Sequence, residues 1–332
     1  MINIDVVIVN WNSGNQLYEC LDSISKISTT YFKISNVIVV DNNSNDGSLN
    51  SLMSIPIPLQ LICNSSNLGF AKACNQGADN SIADYILFLN PDTILFEKSI
   101  DISISFMERK ENEKVGICGI QLVNELGKTS FTCSRFPSIQ RIIGTAFGLQ
   151  KLFPNFINKQ LMVEWDHQQD REVDQVMGAF FLIRKNLFVK LNGFDERFFV
   201  YYEEVDLALR AKQEGWSSHF ISSAQAFHKG GGTTENVQGI ALFYYLRSRI
   251  LYCYKHFGFL PATLALIVTV TVELISRLLR AFFSFSTTQV MSVVEAYYKL
   301  YVWIFWFYRT YYAEFHLKCL LAKDLPLRMS CC

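Results

Sequence analysis

Four short stretches of this 332-residue chain carry side chains of the kind that do chemistry. Asn90-Pro91-Asp92 follows the apolar run YILFL, so a carboxylate falls where a strand would end. Magnesium and manganese prefer hard oxygen ligands and commonly hold a diphosphate with one or two protein carboxylates. Asp41 follows the run VIVV and opens a loop full of turn formers, DNNSNDG. A carboxylate there can accept hydrogen bonds from a base or ribose, as in related α/β folds. Trp11 follows the run IDVVIVN, where an indole can stack on a base for about 1–3 kcal/mol. Glu203-Glu204-Val205-Asp206 sets three carboxylates within four residues, and mutual repulsion raises one pKa, which suits a general base. The preceding FFVYY would wall such a base from water. His228, ahead of a glycine-rich loop, is either a metal ligand or a plain loop histidine. Each stretch also has an ordinary structural reading. Asn-Pro-Asp is a common turn, acids suit a helix N-terminus, and Asp41 with Trp11 reads equally as a turn residue and a half-buried aromatic.

The elements that must position these groups alternate. Apolar runs at 4–10, 37–40, 58–63 and 85–89 have strand length, and Leu17, Leu21, Ile24 and Ile27 keep helical spacing. A second helix-like stretch runs from Gly69 to Ala78. Strands and helices with short connections predict a parallel sheet covered by helices. In such sheets functional groups gather beyond the carboxyl ends of the strands. Those ends carry Asn10, Trp11 and Asn12, then Asp41, then Asn90 and Asp92. Further on, 115–135 reads as strands with a turn near Gly127, and 137–170 shows no clear pattern. Residues 173–184 read as a strand, a short helix ends near Gly193, and 204–214 reads as a helix closed by Gly215. The HKGGG stretch from His228 to Gly232 reads as a flexible loop.

Half of the residues are hydrophobic, which excludes a disordered chain, and 30 basic side chains balance 30 acidic ones. Neutrality argues against nucleic acid as a partner. The balance conceals a division. Residues 1–239 hold 20 Lys/Arg against 26 Asp/Glu, a net −6; residues 240–332 hold 10 against 4, a net +6, with 21 of the 47 aromatic residues. Residues 257–272 are uncharged but fall short of the about 20 apolar residues of a spanning helix, and Glu273 interrupts them. Residues 297–312 are dense in Tyr, Trp and Phe between Lys299 and Arg309, the pattern of a membrane–water interface. Core helices, a homodimer contact or a true membrane span are the alternatives. Nine cysteines without CxxC pairs read mainly as reduced, buried thiols. Cys331 and Cys332 lack a CaaX pattern and read as tail thiols. With no signal-like N-terminus, the expectation is a cytoplasmic protein, peripheral on the inner membrane face.

In order and context these segments resemble the family 2 glycosyltransferases, most closely their rhamnosyltransferase-like branch. The resemblance runs through VVIVNWNSGNQLYECLDSI, VIVVDNNSNDGS, NLGFAKACNQG, YILFLNPD, GAFFLIRK, GFDERFFVYYEEVDLALRAKQEGW and FHKGGG, about residues 4–235. It implies the GT-A α/β fold, with a mixed, mainly parallel central sheet over 1–239 and an aromatic-rich helical region over 240–332. Within the first part, about 1–120 would bind nucleotide and about 121–239 the acceptor. It further implies a sugar-nucleotide donor (dTDP-rhamnose first, a UDP-hexose or UDP-galactofuranose next), Mg²⁺ or Mn²⁺, and inversion at the sugar carbon. The acceptor implied is a glycan or lipid-linked glycan in bacterial surface-polysaccharide synthesis. By position, Asn10, Trp11, Asp41, Asn67, Gly69, Asn90 and Asp92 match the donor site, Asp92 and His228 the metal ligands, and Gly178, Asp195 and Asp206 the acceptor side. Glu203-Glu204 matches the family's Glu-Asp, whose second residue is the base. Asn90 and Glu204 both depart from the family's commoner Asp, which also admits an inactive membrane scaffold. A dinucleotide oxidoreductase would need G-x-G-x-x-G after the first strand, where this chain has NWNSG. A nucleotidyltransferase would need a basic Gly-rich loop there.

Overall fold

The computed structural model describes residues 1–50, 52–152, 158–230 and 237–323, with side chains described as far as Arg309. Gly231, Gly232, Cys331 and Cys332 lie outside these. The chain opens with β1 (Ile2–Asn10), α1 (Asn15–Ser25), β2 (Phe32–Asp41), β3 (Leu59–Cys63), α2 (Phe70–Ala78) and β4 (Tyr85–Leu89). It continues through β5 (Thr93–Leu95), α3 (Ser99–Met107), β6 (Val115–Val123), β7 (Cys133–Ser134), α4 (Ile139–Ala146) and α5 (Leu149–Leu152). Three short strands follow, β8 (Arg171–Val173), β9 (Gln175–Val176) and β10 (Phe180–Arg184). Then come α6 (Lys185–Lys190), α7 (Glu203–Gln213) and β11 (Ser217–His228). The last part is helical: α8 (Gln238–His256), α9 (Phe259–Val268), α10 (Leu274–Phe283) and α11 (Thr287–Lys323).

The main sheet runs in the order β3-β2-β1-β4-β10-β6-β11-β5, and β8 also pairs with β11. β3, β2, β1 and β4 are mutually parallel, as are β6 and β11, whereas β10 runs against both β4 and β6. The sheet is thus mixed and mainly parallel. Within β1 the period of two sends Ile4, Val6 and Ile8 to one core layer and Val7 and Val9 to the other. Both faces are covered, so the strand reads as a continuous apolar run rather than an alternating one. Each such residue contributes about 1.5–3 kcal/mol on full burial. The patternless stretch 137–170 contains α4 and α5, and its described residues 158–170 form no helix and only an isolated bridge from Leu161 to Ser134. The single strand expected over 173–184 is broken into β9 and β10, with β8 just ahead of them.

The expectation for 257–272 changes most. Glu273 does not stop the helix: α9, a π-helical turn (Thr269–Glu273) and α10 form one rod of 25 residues, 33% of whose apolar window is buried. Pro261 falls in the first turn, where a missing N–H is tolerated. Glu273 is itself buried and meets Arg249 of α8 and Arg277 (Nη2–Oε1 2.8 Å), and Thr269 also accepts from Arg249 (2.9 Å). Of the described cysteines, Cys20, Cys74, Cys118, Cys133 and Cys253 are buried free thiols and Cys63 is exposed. Substituting Glu273→Gln leaves Arg249 buried without a carboxylate. This should destabilise the fold by about 3–5 kcal/mol in a denaturant titration; an unchanged midpoint would show that the interior tolerates the bare cation.

Candidate active site

The carboxyl ends of the strands bring most of the sequence-selected residues together. Asn10, ending β1, is fully buried and donates from Nδ2 to Asp41 Oδ1 (2.7 Å) and Ser48 Oγ (2.8 Å). Asp41, ending the neighbouring β2, also accepts from the Ser44 backbone N–H (3.0 Å). The Asp41 carboxylate therefore organises the loop after β2, a task the turn-former content hinted at but did not specify. Trp11 follows directly and is half-buried, which leaves part of its ring accessible. Asn67 Oδ1 accepts from the Gly69 backbone N–H (2.9 Å). Gly69 adopts φ +89°, and a Cβ there would stand 2.5 Å from the carbonyl oxygen of Phe199. Only glycine permits both this backbone and that approach. The turn before α2 thus docks directly on the segment leading to the two glutamates.

The turn after β4 does two things at once. Asn90 donates its backbone N–H to Ala179 O (3.1 Å), which sets it beside Gly178 at the start of β10. Two residues on, β5 pairs antiparallel with the end of β11, so Thr93 stands opposite His228. Asp92 Oδ1 and His228 Nε2 come within 3.3 Å, each side chain 11% exposed. More than 130 positions of sequence separate them. Among the described residues no third His, Cys, Asp or Glu completes a cluster with them. One carboxylate oxygen and one imidazole nitrogen fit an octahedral Mg²⁺ or Mn²⁺ whose other positions go to phosphate oxygens and water.

Glu203 and Glu204 open α7 after two consecutive left-handed residues, Tyr201 (φ +67°) and Tyr202 (φ +73°). Such backbone costs about 1–3 kcal/mol per residue and persists only where the surroundings impose it. Here Tyr202 is buried against Tyr245 and Tyr252 of α8, ring centroids 5.7 and 5.4 Å away, and Phe199 stacks on Tyr244 at 4.4 Å. Glu203 is buried and Glu204 half-buried, and each keeps one Oε2 without a hydrogen-bond partner. Burial, and then the charge of Glu204, raises the Glu203 pKa well above its ordinary value; burial raises that of Glu204. Repulsion among three carboxylates is thus the smaller cause, and Asp206 does not take part. Burial alone would raise Asp206, but the His256 hydrogen bond and the Arg210 and Lys255 charges hold it below its usual range.

Asp206 and Asp195, both expected on the acceptor side, are engaged by side chains of the chain itself. Asp206 is closed to solvent and meets Arg210 (2.7 Å), Lys255 (2.6 Å) and His256 (2.8 Å). Asp195 takes the same Lys255 ammonium (2.7 Å) together with Arg197 (2.6 Å). Their cations occupy them. Gly178 borders open space, since a Cβ there would meet nothing within 4 Å. The sequence reading missed Lys255 and His256, because nothing local marks them. Arg210 was visible as the i+4 partner of Asp206.

The raised carboxyls set a pH dependence. A glutamate whose folded pKa lies above its unfolded value, about 4.3, binds more protons in the folded state. Stability is therefore highest at low pH in that window and falls as pH rises towards the folded pKa. Glu203→Gln should remove most of this fall, read as melting temperature against pH; an unchanged slope would place its origin elsewhere.

Comparison with known proteins agrees with this architecture. The family described as Glycosyl transferase family 2 matches residues 5–191. The rhamnosyltransferase WbbL of Escherichia coli K12 is 29% identical over 191 residues, 57% of this chain and 67% of that protein. The N-acetylglucosaminyl-diphospho-decaprenol L-rhamnosyltransferase of Mycobacterium tuberculosis H37Rv is 25% identical over 254 residues, 69% of this chain and 76% of that one. Among solved structures, the mannosyltransferase PcManGT from Pyrobaculum calidifontis, in complex with GDP-Man and Mn²⁺, superposes with a TM-score of 0.52. That likeness covers 90% of this chain and 86% of that one at 13% identity, and it shows the shared GT-A fold. With the family matching more than half of its length and the sheet carrying the expected strand ends, the chain belongs to the family 2 glycosyltransferases.

Proposed function

We propose that this chain transfers a sugar, rhamnose from dTDP-rhamnose, to a hydroxyl of a lipid-linked glycan with inversion at the sugar carbon. The observation that carries this is the convergence of Asp92 with His228 at the end of a sheet whose other strand ends bear Trp11 and Asp41. The relatives' names favour a rhamnosyl donor and a diphosphate-linked lipid acceptor. Trp11 offers its exposed ring to the base, while Asp41, through its hydrogen bonds to Asn10 and Ser44, holds the loop around the ribose. Asp92 and His228 would hold Mg²⁺ or Mn²⁺, which when bound neutralises the diphosphate so that it leaves without a proton. Glu204 takes the acceptor proton as the hydroxyl attacks the face opposite the diphosphate. Its raised pKa strengthens it as a base, and as a residue it is less buried than Glu203. One displacement without an enzyme nucleophile inverts the centre. The surface-polysaccharide role follows from that acceptor.

The chain also divides by job in this reading, with catalysis in 1–239 and attachment in 240–332. Ile275, Leu279, Phe282, Phe283 and Phe285 are each at least 51% exposed, and Arg280 lies among them. An apolar face with a cation on it suits the anionic inner surface of the cytoplasmic membrane. A homodimer is the other cover for such a face.

Glu204→Gln should lower transfer by roughly 100- to 10,000-fold while donor affinity is kept. Wild-type turnover in that variant would remove Glu204 from the role, and a donor panel with and without Mg²⁺ would identify the sugar nucleotide. The triple substitution Phe282→Ser, Phe283→Ser and Phe285→Ser should reduce co-sedimentation with phosphatidylglycerol vesicles by about tenfold or more. A chain that ignores vesicles but dissociates from dimer to monomer on the same change would assign the face to a second copy.

A further inference from the structure

Arg247 lies on α8 one turn beyond Tyr244, the residue stacked on Phe199, which stands four positions before Glu203. Its guanidinium carbon stands 5.7 Å from the centre of the Trp303 ring on α11. It is half-buried, and no carboxylate among the described residues pairs with it. This sets it apart from Arg249, two residues away, which has Glu273. Burial lowers the Arg247 pKa, with only Tyr244 acting against it, so the cation is partly desolvated without an anion in return. Next to Trp303, α11 exposes Val302 (43%), Phe305 (65%) and Trp306 (55%). A guanidinium with an aromatic backing thus stands between the segment carrying the base and an exposed apolar stripe.

We propose that Arg247 is an anion site for a diphosphate borne on an isoprenoid chain, with the α11 stripe taking the first apolar units. The planar guanidinium fork matches adjacent phosphate oxygens, and an aromatic ring beside it helps orient the fork. The site would hold the lipid-linked end of the acceptor while its sugar reaches Glu204, and in this respect it rests on the function proposed above. A nucleoside diphosphate presents the same anion, so donor and lipid must be told apart.

The test is isothermal titration of the full chain with farnesyl diphosphate and, separately, with dTDP. Arg247→Gln should weaken farnesyl diphosphate by about tenfold or more, as expected for a lost charge-assisted hydrogen bond, with dTDP unchanged. Arg247→Lys should recover part of the affinity, since it keeps a cation beside Trp303. Equal farnesyl diphosphate affinity in wild type and Arg247→Gln, no binding by the wild type, or a loss that falls on dTDP instead would each overturn the assignment. Transfer to a lipid-linked glycan is scored apart: its failure with farnesyl diphosphate binding intact would reject the proposed function and leave the anion site standing.

Discussion

The arrangement depends on a buried carboxylate, Asp206, held by the Arg210 and Lys255 cations and the His256 imidazole, from two helices. A charge closed to solvent is tolerable only when its partners surround it, and removing one partner of such a set costs several kcal/mol. Arg210 ties the carboxylate to its own helix, and further ties that helix to the carbonyls of Leu191 and Gly193. Lys255 and His256 tie it to α8, and Lys255 reaches on to Asp195. Two positions before Asp206 stands Glu204. The orientation of α7, and with it of both glutamates, is therefore set from the helical part of the chain.

This changes the meaning of the charge division near residue 240. Net charges of −6 and +6 suggest two bodies with separate tasks, yet α8 serves both. One side of it lies on Phe199, Tyr202 and Val200, whose carbonyl accepts from Ser248 (2.9 Å). Another side, Leu246 and Ile250, forms the core shared with α9, α10 and α11. The loop before α7 and the apolar helices are thus joined by one helix, and the left-handed pair Tyr201–Tyr202 is the backbone cost of fitting the loop beneath it.

The electrostatics divide in the same way. Asp206 and Asp195 sit among cations and fall below their ordinary pKa, while Glu203 and Glu204 have burial without cations and rise above theirs. Four acids within twelve residues of sequence are thus driven in opposite directions by what each faces. The low pair holds structure; the high pair is left able to accept a proton.

Much of this was legible in the residues themselves. Strand runs, helical spacing and turn formers located β1 to β4 with α1 and α2, because each is a local pattern that burial on a sheet face demands. The strand ends carrying Asn10, Trp11, Asp41, Asn90 and Asp92 followed from that order. The antiparallel placing of β10 and β5 did not, since pairing partners are chosen by contacts between distant segments. It is that pairing which sets His228 against Asp92. Likewise the acids at 203–206 look alike in sequence, and only the return of Lys255 and His256 from α8 separates the low carboxylate from the pair whose pKa is raised. Glu273 gives the same lesson: a charge in an apolar run reads as an interruption until Arg249 is found opposite. The chain's own order specifies its elements, because their stability is largely local and apolar; the protonation and partners of its acids are decided only when remote cations are brought within a few ångströms.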